Sequence, residues 1–191
     1  PGTASIGLDR YYVLIEGEGG EHAPDDHVIE VKEVRTPVPA YFLPYHEAFW
    51  AYFGHQGKRV TMTQQAMHHE ADPFLGYMTM NDRHFYARER SPYKKKLKAE
   101  KLANADELFD VLDCMGRITA KLHARADADV DHGLMRYHSE DEIAAAIGND
   151  VEAFCDYAAD WSMAYAHQVE ADYRLFAEWA QERTAVYAAQ E

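Results

Sequence analysis

Gly2-Thr3-Ala4-Ser5-Ile6-Gly7 stands just before an apolar run, Arg10-Tyr11-Tyr12-Val13-Leu14-Ile15. A second β-like run follows, Val28-Ile29-Glu30-Val31-Lys32. These residue types suit phosphate chemistry. Glycine lets backbone N–H groups approach phosphate oxygens because no Cβ stands in the way. A lysine on the neighbouring strand reaches the same oxygens as a point charge. Gly2, Ser5, Gly7 and Lys32 are therefore candidate nucleotide contacts. The same residues also fit an ordinary edge hairpin with a solvated lysine. Glu30 and Lys32 are two positions apart, so on a strand they share a face and can pair. Arg88, at the end of a later β-like run, suits a phosphate or a carboxylate, and a surface ion pair explains it as well.

Other polar groups form weaker patterns. His68-His69-Glu70 are adjacent and point in different directions on a helix, so they do not make a zinc motif. Asp127, Asp129 and Asp131 resemble the start of a calcium loop. His132 occupies the place of the turn glycine and His138 that of the bidentate acid, so a solvated acidic loop is the better reading. No metal site is expected. Lysines between 94 and 101 read as a solvated helical face. His123 and Arg125 fall at the end of a long helical run, where they complement its negative terminus. Gln168 and Asp172 share a helix face with Tyr165 and are expected to form a buried polar network. No Ser-His-Asp or Cys-His arrangement can be read.

The elements that must position these groups follow from periodicity and punctuation. Residues 8–16 and 27–34 read as strands that pair across a long glycine-containing turn. Tyr11, Val13 and Ile15 alternate with Tyr12 and Leu14, so the first strand is expected to be covered on both faces. Prolines 37, 39 and 44 mark a loop. Residues 45–53 are aromatic and suit a short helix. A helix is expected over 58–72, stopped by Pro73. Two short strands, 74–80 and 84–88, meet at Asn81-Asp82, a hairpin signal. Asp106 is expected to cap a helix with Leu108, Val111, Leu112, Met115, Ile118 and Leu122 at core spacing. Ser139 and Glu142 make a capping box for a helix over 140–147, and 150–190 reads as one or two long helices.

Bulk composition narrows the classes. The chain has 191 residues, is 47% hydrophobic and 13% aromatic, and can bury a core. A net charge of -14 disfavours a nucleic-acid partner, because phosphate contacts need a basic field. No apolar run approaches the roughly 18 residues of a membrane span. Cys114 and Cys155 lie in helical sequence without metal-type partners, so a reduced, cytoplasmic protein is expected. The chain begins at Pro1 without an initiator Met, as a fragment or processed product would.

An ordered set of short motifs runs through nearly the whole chain: Gly2-Thr-Ala-Ser-Ile-Gly7, Val31-Lys32-Glu33, Gly57-Lys-Arg-Val60 with Gln64, Asp72-Pro-Phe-Leu-Gly76, Tyr86-Ala-Arg88, Leu122-His-Ala-Arg125, and Tyr165-Ala-His-Gln168 with Asp172-Tyr173. With these motifs the chain resembles the C-terminal half of the bacterial "domain of unknown function 2252" family. That family looks kinase-like, similar to small-molecule phosphotransferases in a circularly permuted order.

The resemblance implies an α+β, protein-kinase-like fold: a β-rich nucleotide-binding lobe over 1–92 and a helical lobe over 93–191. It implies ATP and Mg²⁺ as cofactors, residues 2–7 as the phosphate loop and Lys32 as the phosphate-gripping lysine. It makes 58–71 the regulatory helix and 85–92 the hinge beside adenine, and it places His123 and Arg125 near the cleft. Several residues depart from the kinase pattern. Ala4 replaces a glycine, and Glu30 sits where a small residue would face adenine. Met62 and Gln64 occupy the positions of the lysine-orienting glutamate. The chain has neither a His-x-Asp…Asn loop nor an Asp-Phe-Gly-like segment, so no catalytic residue is assigned within it.

The expected function is thus the ATP-binding portion of a kinase-like phosphotransferase of unknown substrate, completed by a half outside this chain. The alternative is a non-catalytic, pseudokinase-like module that holds a partner in the same cleft or on residues 45–53.

Overall fold

Alternation in residues 27–33 decides the centre of the fold. Ile29 and Val31 point to one face of the strand, Glu30 and Lys32 to the other. In the computed structural model this strand, β2 (His27–Glu33), pairs antiparallel with β1 (Arg10–Ile15) and with β4 (Arg83–Glu89). β3 (Gly76–Met80) pairs antiparallel with β4, giving the sheet order β1-β2-β4-β3. The structure describes residues 5–20, 24–93, 95–125 and 136–188. Ile29, Val31, Phe85 and Ala87 form the buried core on one face, with Phe74 and Met80 packed against them. Phe85 is the most completely buried of these side chains.

The β3–β4 connection is the two-residue turn expected at Asn81-Asp82. Both residues take positive φ, 49° and 58°, as a turn matched to strand twist requires. The long β1–β2 turn is held by carboxylates: Gly17 N donates to Asp26 Oδ1 and Gly19 N to Asp25 Oδ2.

Two short helices, α1 (Glu47–Tyr52) and α2 (Gln56–Met67), lie between β2 and β3 in sequence. A short 3₁₀ turn, Val38–Tyr41, precedes them. Both α1 and α2 are capped by histidine. His46 Nδ1 accepts from Phe49 N, and His55 Nδ1 accepts from Lys58 N. Gly57 belongs to the first turn of α2. A Cβ there would collide with the carbonyl oxygen of Phe85, so glycine lets helix and strand backbones touch.

α2 ends at Met67, before the expected stop at Pro73. The reason is Asp72. Its carboxylate accepts from Phe74 N and from Glu89 N, so the chain must leave the helix early to lay this residue against β4.

α3 (Ala105–His123) is capped by Asn104, whose side chain accepts from Glu107 N, and not by Asp106. α4 (Ser139–Ile147) and the 38-residue α5 (Val151–Ala188) complete the helices described. The chain divides into two compact units, Pro1–Glu142 and Ile143–Glu191. Within α5, Trp161 stacks on Tyr165 with ring centroids 5.0 Å apart. Gln168 does bond to Asp172, at 2.8 Å, but both side chains are exposed and the network is not buried.

Two expectations about coverage fail. β1 is an edge strand, and its residues from Tyr11 to Ile15 are between 43% and 57% exposed. An apolar run on both faces signals a strand suited to burial without naming the element that would cover it. The apolar stripe of α3 is likewise open: Leu108, Leu112, Met115 and Ile118 are all exposed.

Candidate functional site

The strand register gathers charge around one carboxylate. Glu30 is opposite Tyr12 on β1 and opposite Arg88 on β4, while Arg10 is opposite Lys32. All of these side chains therefore rise from the same face. Lys32 Nζ lies 2.9 Å from Glu30 Oε2, which also accepts from Arg88 Nη2 at 3.0 Å and Nε at 3.1 Å. Arg10 Nε lies 3.7 Å from Glu30 Oε1, to which Tyr12 donates its hydroxyl at 3.3 Å. Ser5 Oγ accepts from Arg10 Nη2 at 3.3 Å, tying the glycine turn to the same cluster. Arg90 stacks on the Tyr12 ring at 4.8 Å.

Glu30 is 6% exposed, and three cations share its single negative charge. Burial pushes its carboxyl pKa up, but the hydrogen bonds and charges of Lys32 and Arg88 outweigh burial and hold it below the ordinary value. The carboxylate is thus ionised at neutral pH and orients its partners. An excess of two positive charges remains among these groups, on a protein of net charge -14. Chemically, this face suits an anion with several oxygens.

A second cluster at the end of β2 is balanced instead. Glu33 accepts from Asp9 N and pairs with Arg35 at 2.9 Å and Arg83 at 3.1 Å, and Arg83 also pairs with Asp9 at 2.6 Å. The Asp9 backbone bond, outweighing burial, and the two arginines hold Glu33 below the ordinary carboxylate range. Two acids and two arginines leave no surplus to attract a ligand, so this cluster reads as structural.

The sequence candidates separate accordingly. Ser5, Glu30, Lys32 and Arg88 come together, and Gly7 sits in the same turn with φ +76°, a conformation that needs glycine. Gly2 lies outside the described residues, as do the acidic loop 127–133 and Lys94. Gln64 sits on α2, His123 ends α3 and Arg125 follows it. Among the described residues, no hydrogen bond or ion pair joins these three to the Glu30 cluster. Arg10 and Tyr12 belong to the site, although the sequence does not single them out. Their alternation is visible there, but their alignment with Lys32 and Glu30 depends on a register that a long turn does not fix. Among the described residues, no group of three or more His, Cys, Asp or Glu converges to hold a metal ion.

A separate apolar cavity of about 610 Å³ lies beside α1 and α2, walled by Pro39, Leu43, Phe49, Trp50, Arg59 and Met62 among others. It contains none of the candidate nucleotide contacts, but His46, Phe49, Trp50 and Phe53 of its wall belong to the 45–53 segment that the sequence offers as a partner-holding surface.

Fold and site together define an α+β protein with a small four-stranded antiparallel sheet, helices, and a cationic cluster on one sheet face. The chain belongs to the family described as "uncharacterized protein conserved in bacteria (DUF2252)", which it matches over residues 1–179. No curated protein and no solved structure matches it. Among the described residues, no helix is long and apolar enough to cross a membrane.

Proposed function

We propose that the chain is the nucleotide-binding portion of a kinase-like phosphotransferase, with the Glu30 face receiving the phosphates of ATP. The observation that carries this reading is the surplus of positive charge around one buried carboxylate, next to a glycine turn. Lys32, Arg88 and Arg10 supply the charges, and Ser5 and Gly7 supply the turn. The order of elements also supports it: two paired strands, two short helices, two paired strands, with the lysine on the second strand. In a kinase the strand lysine is oriented by a glutamate from the regulatory helix. Here α2 offers none, and Glu30 orients Lys32 from the same strand at 2.9 Å. The triphosphate would carry Mg²⁺ with it, since the catalytic base and protein metal ligands of a kinase are not among these residues.

Calorimetric titration with MgATP tests the reading. Lys32→Ala is expected to abolish binding. Unchanged affinity in that variant would remove Lys32 from the site.

A second reading is a pseudokinase-like module that binds without turnover. The specific observation in its favour is that Glu30 already occupies Lys32 and Arg88, so phosphate must compete with a buried carboxylate. Magnesium-dependent ATP hydrolysis by the chain would exclude it.

A further inference from the structure

We propose that the cavity beside α1 and α2 binds a small organic monocarboxylate, its aromatic body against Phe49, Trp50 and Met62 and its carboxylate on Arg59. The site shares no residue with the Glu30 cluster, so the inference stands apart from the nucleotide reading.

Size comes first. A volume of about 610 Å³ falls in the range of small-molecule sites, and apolar side chains dominate the wall. Phe49 contacts Trp50 edge-on, with ring centroids 5.0 Å apart, and also contacts Phe53 at 4.9 Å. Such a wall offers ring edges and faces to a flat ligand.

Charge comes second. Among the described residues that line the cavity, none is Asp or Glu, although the chain carries 33 of them. Arg59 lines it and, among the described residues, makes only neutral contacts: Nε donates to Gln56 Oε1 at 2.9 Å and Nη2 to the Arg35 carbonyl at 3.4 Å. A guanidinium has five N–H donors, so most remain to be used. No acid faces it among the described residues, and its loss of solvent lowers its pKa without any compensating charge. A cation partly removed from water without a counter-charge is costly, and a bound anion relieves that cost.

Two other polar groups of the wall are already engaged within the protein. Thr63 spends its hydroxyl on the Arg59 carbonyl at 2.8 Å. His46 spends Nδ1 on the backbone N–H of Phe49, which it accepts at 3.0 Å. A single cation with a planar fork matches one carboxylate; a dianionic phosphate would leave a charge unpaired.

The test titrates the whole chain with 1-naphthoate and with its neutral analogue 1-naphthalenemethanol, by calorimetry. Naphthoate is expected to bind about tenfold tighter or more, as a charge-assisted contact requires. Arg59→Met keeps the bulk, removes the charge and is expected to abolish that preference. Lys32→Ala is expected to leave it intact. Equal affinity for the two compounds, no naphthoate binding, or a preference that survives Arg59→Met would each overturn the proposal. If circular dichroism shows that Arg59→Met does not fold, Thr63→Trp replaces it. Filling the cavity from its rim is expected to eliminate naphthoate binding, and persistence of binding would overturn the proposal.

Discussion

Glu30 connects stability to chemistry. As a buried anion with three cationic partners it cannot be removed cheaply, because Lys32 and Arg88 would be left facing each other. Those partners are partly exposed, so the loss falls between that of a surface pair and that of a fully buried one. Glu30→Gln is expected to cost about 2 kcal/mol in urea unfolding at neutral pH. Its pH dependence has a definite sign. The folded pKa is held below its usual value of 4.5, so the carboxylate stabilises the fold above that pH. This contribution is lost as pH falls through the folded pKa. The gap between wild type and Glu30→Gln is therefore expected to narrow in acid; a constant gap would show that charge is not what Glu30 contributes. At this scale the sequence is partly legible. Two positions on one strand predict a shared face, and Glu30 and Lys32 do pair. Arg10 is hidden because its place in the cluster comes from a cross-strand alignment.

At the scale of elements, three histidines hold helix starts in place. His46 caps α1 and His55 caps α2, while His84 Nδ1 accepts from Gln56 N at the beginning of α2. His55 and His84 stack at 4.0 Å. Each of these bonds needs an unprotonated Nδ1. Burial, and next the neighbouring His84, hold His55 below its usual pKa of 6.5. A depressed histidine pKa means that the neutral form belongs to the fold. Its stabilisation is complete above pH 6.5 and is lost as pH falls through the lower folded value. His55→Asn keeps an acceptor at the cap without a titrating ring. That variant is expected to flatten the fall in melting temperature between about pH 7 and pH 5; an unchanged slope would assign the dependence to other groups. Cap residues of this kind are poorly legible, since histidine is not among the usual N-cap residues. The Asn81-Asp82 hairpin is legible because residues tolerant of positive φ stand between two β-like runs. The end of α2 is not, because the constraint comes from Asp72 bonding to a strand later in the chain.

For the molecule as a whole, apolar exposure and charge act against each other. Leu112 and Met115 on α3, and Trp161 and Tyr173 on α5, are each more than half exposed. Surfaces of this kind favour association, while a net charge of -14 opposes it. Salt screens the repulsion, shortening its range from about 30 Å at 0.01 M to about 3 Å at 1 M. Sedimentation velocity is expected to show a higher weight-average coefficient at high salt than at low salt. A coefficient independent of salt would mean that these faces do not self-associate. Periodicity locates the stripe of α3 but cannot say that it stays open, because amphipathicity defines a face and not its neighbour.

The sheet order also fixes when the cluster can exist. Tyr12 and Glu30 are 18 positions apart and meet within a local hairpin, whereas Glu30 and Arg88 are 58 apart and meet across the β2–β4 seam. Closing the larger loop costs more chain entropy, so local hairpins are favoured early and the seam is favoured late. Until the seam zips, Arg88 has no register against Glu30. The clustered arrangement of charges is consequently a late product of folding, and a chain in which Arg88 meets Glu30 has already completed its sheet.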